Sequence, residues 1–429
     1  MTGKKTADMI LTAVTALVMA VLIITLTVIG LSDGGREKIE QKQSQTMISM
    51  SWWGNDDRHV YTLKGLDIFQ KANPDIEVSH HYGVWNGYET RAKVSMKAHT
   101  ESDVMQINFA WLNTYSKDGT GFYDLNELAD VIDLSGYTAA DLSYGTVNGK
   151  LNALPIAYNS VAFFYNKDIL DKYGLDVPVT WDDFFDDAKV LSRDNIYPIS
   201  MAKKMMWLFI VAEYEQKTGK TLFNEEGTLE ADSGDMKIML DFYKRLIDEK
   251  VFQPVDDFSI SDMNDGTTCG VMCWINDSGR YCDELSARGT NVVLGTAPSM
   301  KGAERSGWYM KPATMYAISS ITDHPEEAGR LLNFLVNDTE MAELQGAEKG
   351  VPVCSKARNA VLSGGDMDRF EAEADKQMLQ NRDSLNTFTP ELEDEDIIDI
   401  FKEESDRYIY DKTDVDTCAQ EIVSRINGR

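Results

Sequence analysis

The stretch Ser51-Trp52-Trp53-Gly54-Asn55-Asp56-Asp57-Arg58-His59 sets two indoles, an amide, two carboxylates and a guanidinium side by side, directly after the apolar residues Met47 to Met50. That mixture suits a sugar ring. Flat aromatic faces cover the C–H side of a pyranose, while amide, carboxylate and guanidinium groups satisfy its hydroxyl rim. Similar groups recur along the chain at Trp85, Gln106, Asn108, Trp111, Trp207, Trp274, Asn276, Trp308 and Lys311. With Trp53, Asn55 and Arg58 they form the candidate binding set. Arg58, Arg280 and Lys311 are the cations that could meet a uronate carboxylate, and surface ion pairing is the plainer reading of each. Trp181 opens a helix in the capping pattern Thr180-Trp181-Asp182-Asp183 and belongs to a core. Trp52 shares strand parity with Ile48 and Met50, so it faces the core and Trp53 faces the other way.

The elements that must hold these groups follow from periodicity. Residues 46–51 read as a buried strand. Val60 to Ala72 carries helical spacing and stops at Asn73-Pro74; Ile76 to Tyr82 is a strand, Tyr88 to Ala98 a helix, and Asp103 to Asn108 a strand. This β-α-β-α-β order is the mark of a parallel sheet in an α/β protein, and such sheets bind ligands beyond their carboxyl ends. Trp53, Asn55, Trp85, Gln106, Asn108 and Trp111 all fall at or just past those ends. Leu151 to Asn166 reads as two strands broken at Tyr158-Asn159, followed by helices at Lys167 to Tyr173 and from Trp181, and by an amphipathic helix at Ser233 to Glu249. Gly270 to Ile275 is a strand. Helices follow from His324-Pro325 to Val336 and beyond Asp366. The charge run Glu391 to Asp399 reads as a solvated helix face. His59 is a helix-start residue, and His80-His81 a pair on a strand.

At the amino end, Met9 to Leu31 are 23 uncharged, mostly apolar residues behind Lys4 and Lys5. As a helix they span about 34 Å, enough for a bilayer core. The preceding lysines place the first eight residues in the cytoplasm and the rest outside. No small-residue cleavage site follows, so an uncleaved anchor is expected. The formal net charge of −28 argues against nucleic-acid or anionic-lipid partners. The five cysteines, Cys269, Cys273, Cys282, Cys354 and Cys418, are odd in number and read as buried small hydrophobes, with room for one bridge among the first three. The five histidines are not spaced around them, so no metal site and no cofactor are expected.

Several ordered segments together resemble an extracellular solute-binding protein of family 1, the carbohydrate-binding class of ABC transporters that includes maltose-binding protein. They are Ser51-Trp52-Trp53-Gly54, Lys71-Ala72-Asn73-Pro74, Ser102-Asp103-Val104-Met105-Gln106, Leu154-Pro155-Ile156 with Phe164-Tyr165-Asn166-Lys167-Asp168, Pro178-Val179-Thr180-Trp181, Trp308-Tyr309-Met310-Lys311-Pro312 and Gly350-Val351-Pro352-Val353. The resemblance covers nearly everything from Ile48 onward. It departs at the amino end, where many relatives carry a lipid-modified cysteine that is missing here. It implies a two-lobed periplasmic-binding-protein-like α/β clamp with discontinuous lobes: residues 47–155 with 313–355, and 156–312 with 356–429, after a cytoplasmic tail 1–8, a transmembrane segment 9–31 and a tether 32–46. It implies an oligosaccharide ligand, ABC permease subunits as partners, a monomeric ectodomain outside the membrane, and no chemistry on the ligand. It also places Asn159, Trp274 and Trp308 at the cleft. Two rivals remain: a clamp of the same kind serving a membrane kinase, and a tethered glycosidase, for which no segment isolates a carboxylate pair.

Overall fold

The computed structural model of the chain describes residues 45–224, 227–364 and 369–429. The apolar segment 9–31 and most of the tether lie outside them. Among the described residues no helix is long and apolar enough to cross a membrane. Residues 46–429 form one unit built around two sheets.

The expected β-α-β-α-β order is present. Strand β1 (Thr46–Trp53) pairs in parallel with β2 (Ile76–Gly83) on one side and with β3 (Val104–Ile107) on the other. The connecting helices are Asp56–Ala72 and Tyr88–Ala98. The first starts four residues before its apolar periodicity because Asn55 caps it, its side-chain oxygen accepting from Arg58 N at 2.9 Å. After a small hairpin at Thr146–Leu151, the strands β4 (Ala153–Asn159) and β5 (Val161–Asn166) are separated at Ser160, just past the expected break. β4 stays with the first sheet and β5 begins the second. That smaller sheet contains β5, β6 (Ser200–Met201), β7 (Gly270–Trp274) and β8 (Val292–Leu294), in the order β8-β5-β7-β6. The chain then returns through β9 (Tyr309–Ile318), which runs antiparallel to both β3 and β4, and β10 (Asn386–Thr387) pairs with its first residues.

Apolar residues separate by strand parity as period-2 alternation requires. Ile48, Met50 and Trp52 pack with Val104, Leu154, Tyr316 and Ile318, while Trp53, Met105, Ile107, Ala153 and Met315 pack on the opposite face. The second lobe's core gathers Trp181, Trp207, Phe209, Phe242, Trp308 and Phe401. Thr180 and Asp183 form the expected capping box, the Thr180 N–H donating to Asp183 at 2.8 Å. The helix Ser233–Asp248 also matches its expected span.

The charge run needs a correction. Its helix starts only at Glu395 and continues to Ile409; Glu393 precedes it in a tight turn, Pro390–Glu393, and is turned inward. The five cysteines are buried as thiols, and none is bridged.

Asp187 lies buried on the inner face of the helix Trp181–Leu191. Burial, with Asp183, Asp186 and Asp176 nearby, raises its carboxyl from 3.8 to about 7. A carboxyl raised on folding contributes stability in its protonated form, and that contribution is lost as pH rises toward 7. Asp187→Asn removes this loss, so its melting temperature relative to the parent should climb between pH 5 and pH 8. Thermal unfolding of both proteins across that range checks it; a constant difference would contradict the assignment.

Candidate functional site

The site is built where two neighbouring strands leave the first sheet together. Asn159 ends β4 and stands in register with Lys311 at the start of β9. Between the sheets the Ser160 hydroxyl donates to the Tyr309 carbonyl at 2.8 Å, and Ile275 N donates to the Ser160 carbonyl at 3.0 Å. The Asn159 amide N–H donates to Asn276 Oδ1 at 2.8 Å. Lys311 is buried at this crossing. Its ammonium lies 4.5 Å from the Trp274 ring centroid and 5.7 Å from that of Phe388, and it pairs with the Glu393 carboxylate. Burial pulls the Lys311 ammonium below the usual lysine range, and Glu393 opposes that. An amide pair, a half-buried indole and an ion pair thus converge where the two sheets meet.

The aromatic set is more interlocked than its spacing suggests. Trp52 is fully buried and stacks on Tyr82 at 4.9 Å, with its indole N–H donating to His59 Nδ1 at 3.2 Å. Trp53 does face the other way, but only 7% of it is exposed, because Trp85, Tyr88 and Trp111 surround it at 5.0, 5.4 and 6.1 Å. Trp111 is buried in the same cluster, and Trp85, 42% exposed, is its open face. Two further expected contacts, Trp207 and Trp308, pack into the second lobe's core. Trp207 is fully buried, donates to the Leu392 carbonyl at 3.0 Å and packs on Phe401 at 5.0 Å. Trp308 donates to the Pro298 carbonyl at 3.0 Å and stacks on Trp181 at 6.0 Å. Trp207 lies in the helix Lys203–Thr218, which is buried on nearly every side, and Trp308 directly precedes β9, where it also lines a cavity of about 780 Å³ with Ser160, Arg305 and Asn386.

Among the polar candidates, Asn55 is an exposed helix cap. Asn108 is half-buried and accepts from Ala110 N at 3.0 Å. Gln106 is fully buried, and neither of its side-chain polar atoms has a hydrogen-bond partner. Arg58 donates to the Glu348 carbonyl, with that residue's carboxylate 3.8 Å from Nε. Arg280 makes an exposed pair with Asp277 at 3.7 Å, which is its plainer reading.

A cavity of about 1030 Å³ adjoins the crossing. Phe109, Leu112 and Tyr144 line it from the first sheet's side, and Phe223, Arg305, Tyr309, Asn386 and Phe388 from the other. Phe388 faces both the cavity and Lys311, and lies 5.8 Å from Phe109. None of the residues singled out from sequence lines this cavity. Phe109 follows Asn108 at a strand end and was within reach of that argument. Phe388 and Glu393 come from a polar stretch without periodicity, so only the fold brings them here.

A family profile described as bacterial extracellular solute-binding protein matches residues 65–368, and the chain belongs to that family. The arabinooligosaccharide-binding protein of Bacillus subtilis is 22% identical over 339 residues, 74% of this chain and 75% of its own. The structure of a periplasmic oligogalacturonide binding protein from Yersinia enterocolitica, in complex with saturated digalacturonic acid, is similar at 30% identity and a TM-score of 0.78, covering 89% of this chain and 98% of that one. A de novo designed cysteine esterase is similar at 29% identity and a TM-score of 0.82, covering 90% and 98%. The two-lobed periplasmic-binding-protein-like architecture is therefore shown. A cysteine nucleophile acts as an accessible thiolate. Here all five thiols are buried, and burial pushes those of Cys269, Cys273 and Cys418 upward.

Removing Glu393 leaves the Lys311 ammonium buried without its counter-charge. Glu393→Gln should cost about 3 kcal/mol of folding stability, and Lys311→Met with Glu393→Gln should recover most of it. Chemical denaturation of the single and double variants measures both.

Proposed function

We propose that this protein is the extracytoplasmic substrate-binding component of an ABC importer, capturing an oligosaccharide between its lobes and delivering it to permease subunits. The observation that carries the reading is the convergence of Asn159, Asn276, Lys311 and Trp274 where the two sheets meet. Half-exposed Trp85 on the aromatic cluster adds a stacking face beyond the strand ends. The Bacillus subtilis and Yersinia enterocolitica relatives, named for oligosaccharide ligands, support the ligand class. The lobes would meet at Asn159–Ser160 and near Tyr309, a few residues from the expected bounds of 155/156 and 312/313, because β4 stays in the first sheet through Asn159 and β9 joins it from Tyr309. Closure would turn about the paired residues at Asn159–Ser160 and Tyr309–Lys311, strand-terminal positions of the kind that absorb hinge motion. The segment 9–31 anchors a monomeric ectodomain to the membrane.

Titration with a panel of neutral and uronate di- to tetrasaccharides, followed by tryptophan fluorescence and calorimetry, tests the function. At least one glycan should bind, and Trp85→Ala should weaken it by about tenfold, the worth of one aromatic stacking contact. Silence toward every glycan, with tight binding of an unrelated solute, would overturn the reading.

A further inference from the structure

The cations near the carboxyl edge of the first sheet are not equally available. The charge of Lys311 is already met by Glu393, and that of Arg280 by Asp277 at the surface. Lys349 is different. It is 1% exposed, and its ammonium donates to the Tyr316 hydroxyl at 2.7 Å and lies 5.8 Å from the Tyr61 ring centroid. Among the described residues no carboxylate forms an ion pair with it. Arg58 stands close enough to push against it electrostatically. The Arg58 Nε lacks a hydrogen-bond partner and lies 3.8 Å from the part-exposed Glu348 carboxylate. On the strand beside Tyr316, Gln106 is its register partner, fully buried with both polar side-chain atoms unsatisfied.

These groups share one place. Gln106 is the penultimate residue of β3, Tyr316 its neighbour on β9, and Arg58 lies in the first turn of the helix that follows β1. That is the carboxyl end of the parallel strands, where ligands enter such sheets. Among the described residues, Lys349 and Gln106 are buried with no carboxylate paired to either, and half-buried Arg58 meets only the part-exposed Glu348 at 3.8 Å; together they are the complement of an anionic group.

Resting on the oligosaccharide reading above, we propose that Arg58, Lys349 and Gln106 form an anion subsite that takes the carboxylate of a uronic acid residue in the ligand. Burial and Arg58 together hold the Lys349 ammonium well below its usual range, and a carboxylate between the two cations would reverse both effects. Lys311, with its own carboxylate in place, serves the hydroxyl rim instead.

The test titrates the full chain in detergent micelles with digalacturonate and with galactobiose, its neutral counterpart. Digalacturonate should bind about tenfold or more tighter, and Lys349→Met and Arg58→Gln should each weaken it by about thirtyfold or more while moving galactobiose less than about threefold. If Lys349→Met fails to fold, judged by its melting curve, Arg58→Gln decides alone, since that side chain is 21% exposed. Digalacturonate binding no better than galactobiose, or both sugars weakened alike by the variants, overturns the subsite and leaves the sugar-binding function standing. Tighter binding of galactose 6-phosphate than of digalacturonate overturns the carboxylate assignment in favour of a phosphosugar. Failure of every glycan to bind overturns the function and the subsite together.

Discussion

The structure depends on a charge held at a crossing. Lys311 lies in the first residues of the strand that returns from the small sheet to the large one, and Asn159 ends the strand that leaves. Both sheets' connection passes through this point, so an ammonium buried here must be satisfied from both sides. Glu393 supplies the opposite charge, and Trp274 and Phe388 supply aromatic faces. A buried ion pair contributes little net stability but penalises every arrangement that separates its partners. Its partners come from position 274 and from the stretch 388–393, and it therefore ties two distant stretches of chain to the junction.

Around that junction the chain distributes its polar and aromatic groups by strand parity. One face of the large sheet takes Trp52 into the main core. The other takes Trp53 into a cluster whose outermost ring is Trp85. A rigid aromatic cluster with one open face suits stacking on a sugar, because its geometry is set before a ligand arrives. The polar face is less resolved energetically. Gln106 is buried with a donor and an acceptor that the protein itself does not satisfy, a cost of about 1–3 kcal/mol for each unmet group, and Lys349 is buried with a hydroxyl partner but no carboxylate. Family membership, the sugar-binding relatives and this reserve of unsatisfied polarity point in one direction, toward a cleft completed by its ligand.

Local order in the chain was open to reading wherever periodicity or capping chemistry decided it. The β-α-β-α-β beginning, the helices at Tyr88–Ala98 and Lys167–Tyr173, the Thr180 capping box and the opposed faces of Trp52 and Trp53 all follow from spacing and parity over a few residues. At other positions the same local signal has two outcomes. Asn55 after a strand end serves equally as a rim amide or as a helix cap, and the helix takes it. Trp207 and Trp308 have the type of a binding residue and also suit a core; both pack into the second lobe's core, with Trp308 at the edge of a cavity.

The sequence by itself determined the α/β class, the family and the edge of the sheet where polar and aromatic groups collect, since each is encoded in contiguous patterns. Tertiary structure alone decided which groups meet. Glu393 looked like one charge in a solvated run until the turn Pro390–Glu393 brought it to Lys311. Lys349, Arg58 and Gln106 lie on a loop, a helix start and a strand far apart in the chain, and no spacing rule connects them. Their proximity arises from sheet register and from the close approach of the 349–350 turn, where Gly350 has φ 92° and a Cβ would come within 2.9 Å of the Tyr158 carbonyl. Contacts between distant segments are products of packing, and packing is a property of the whole chain.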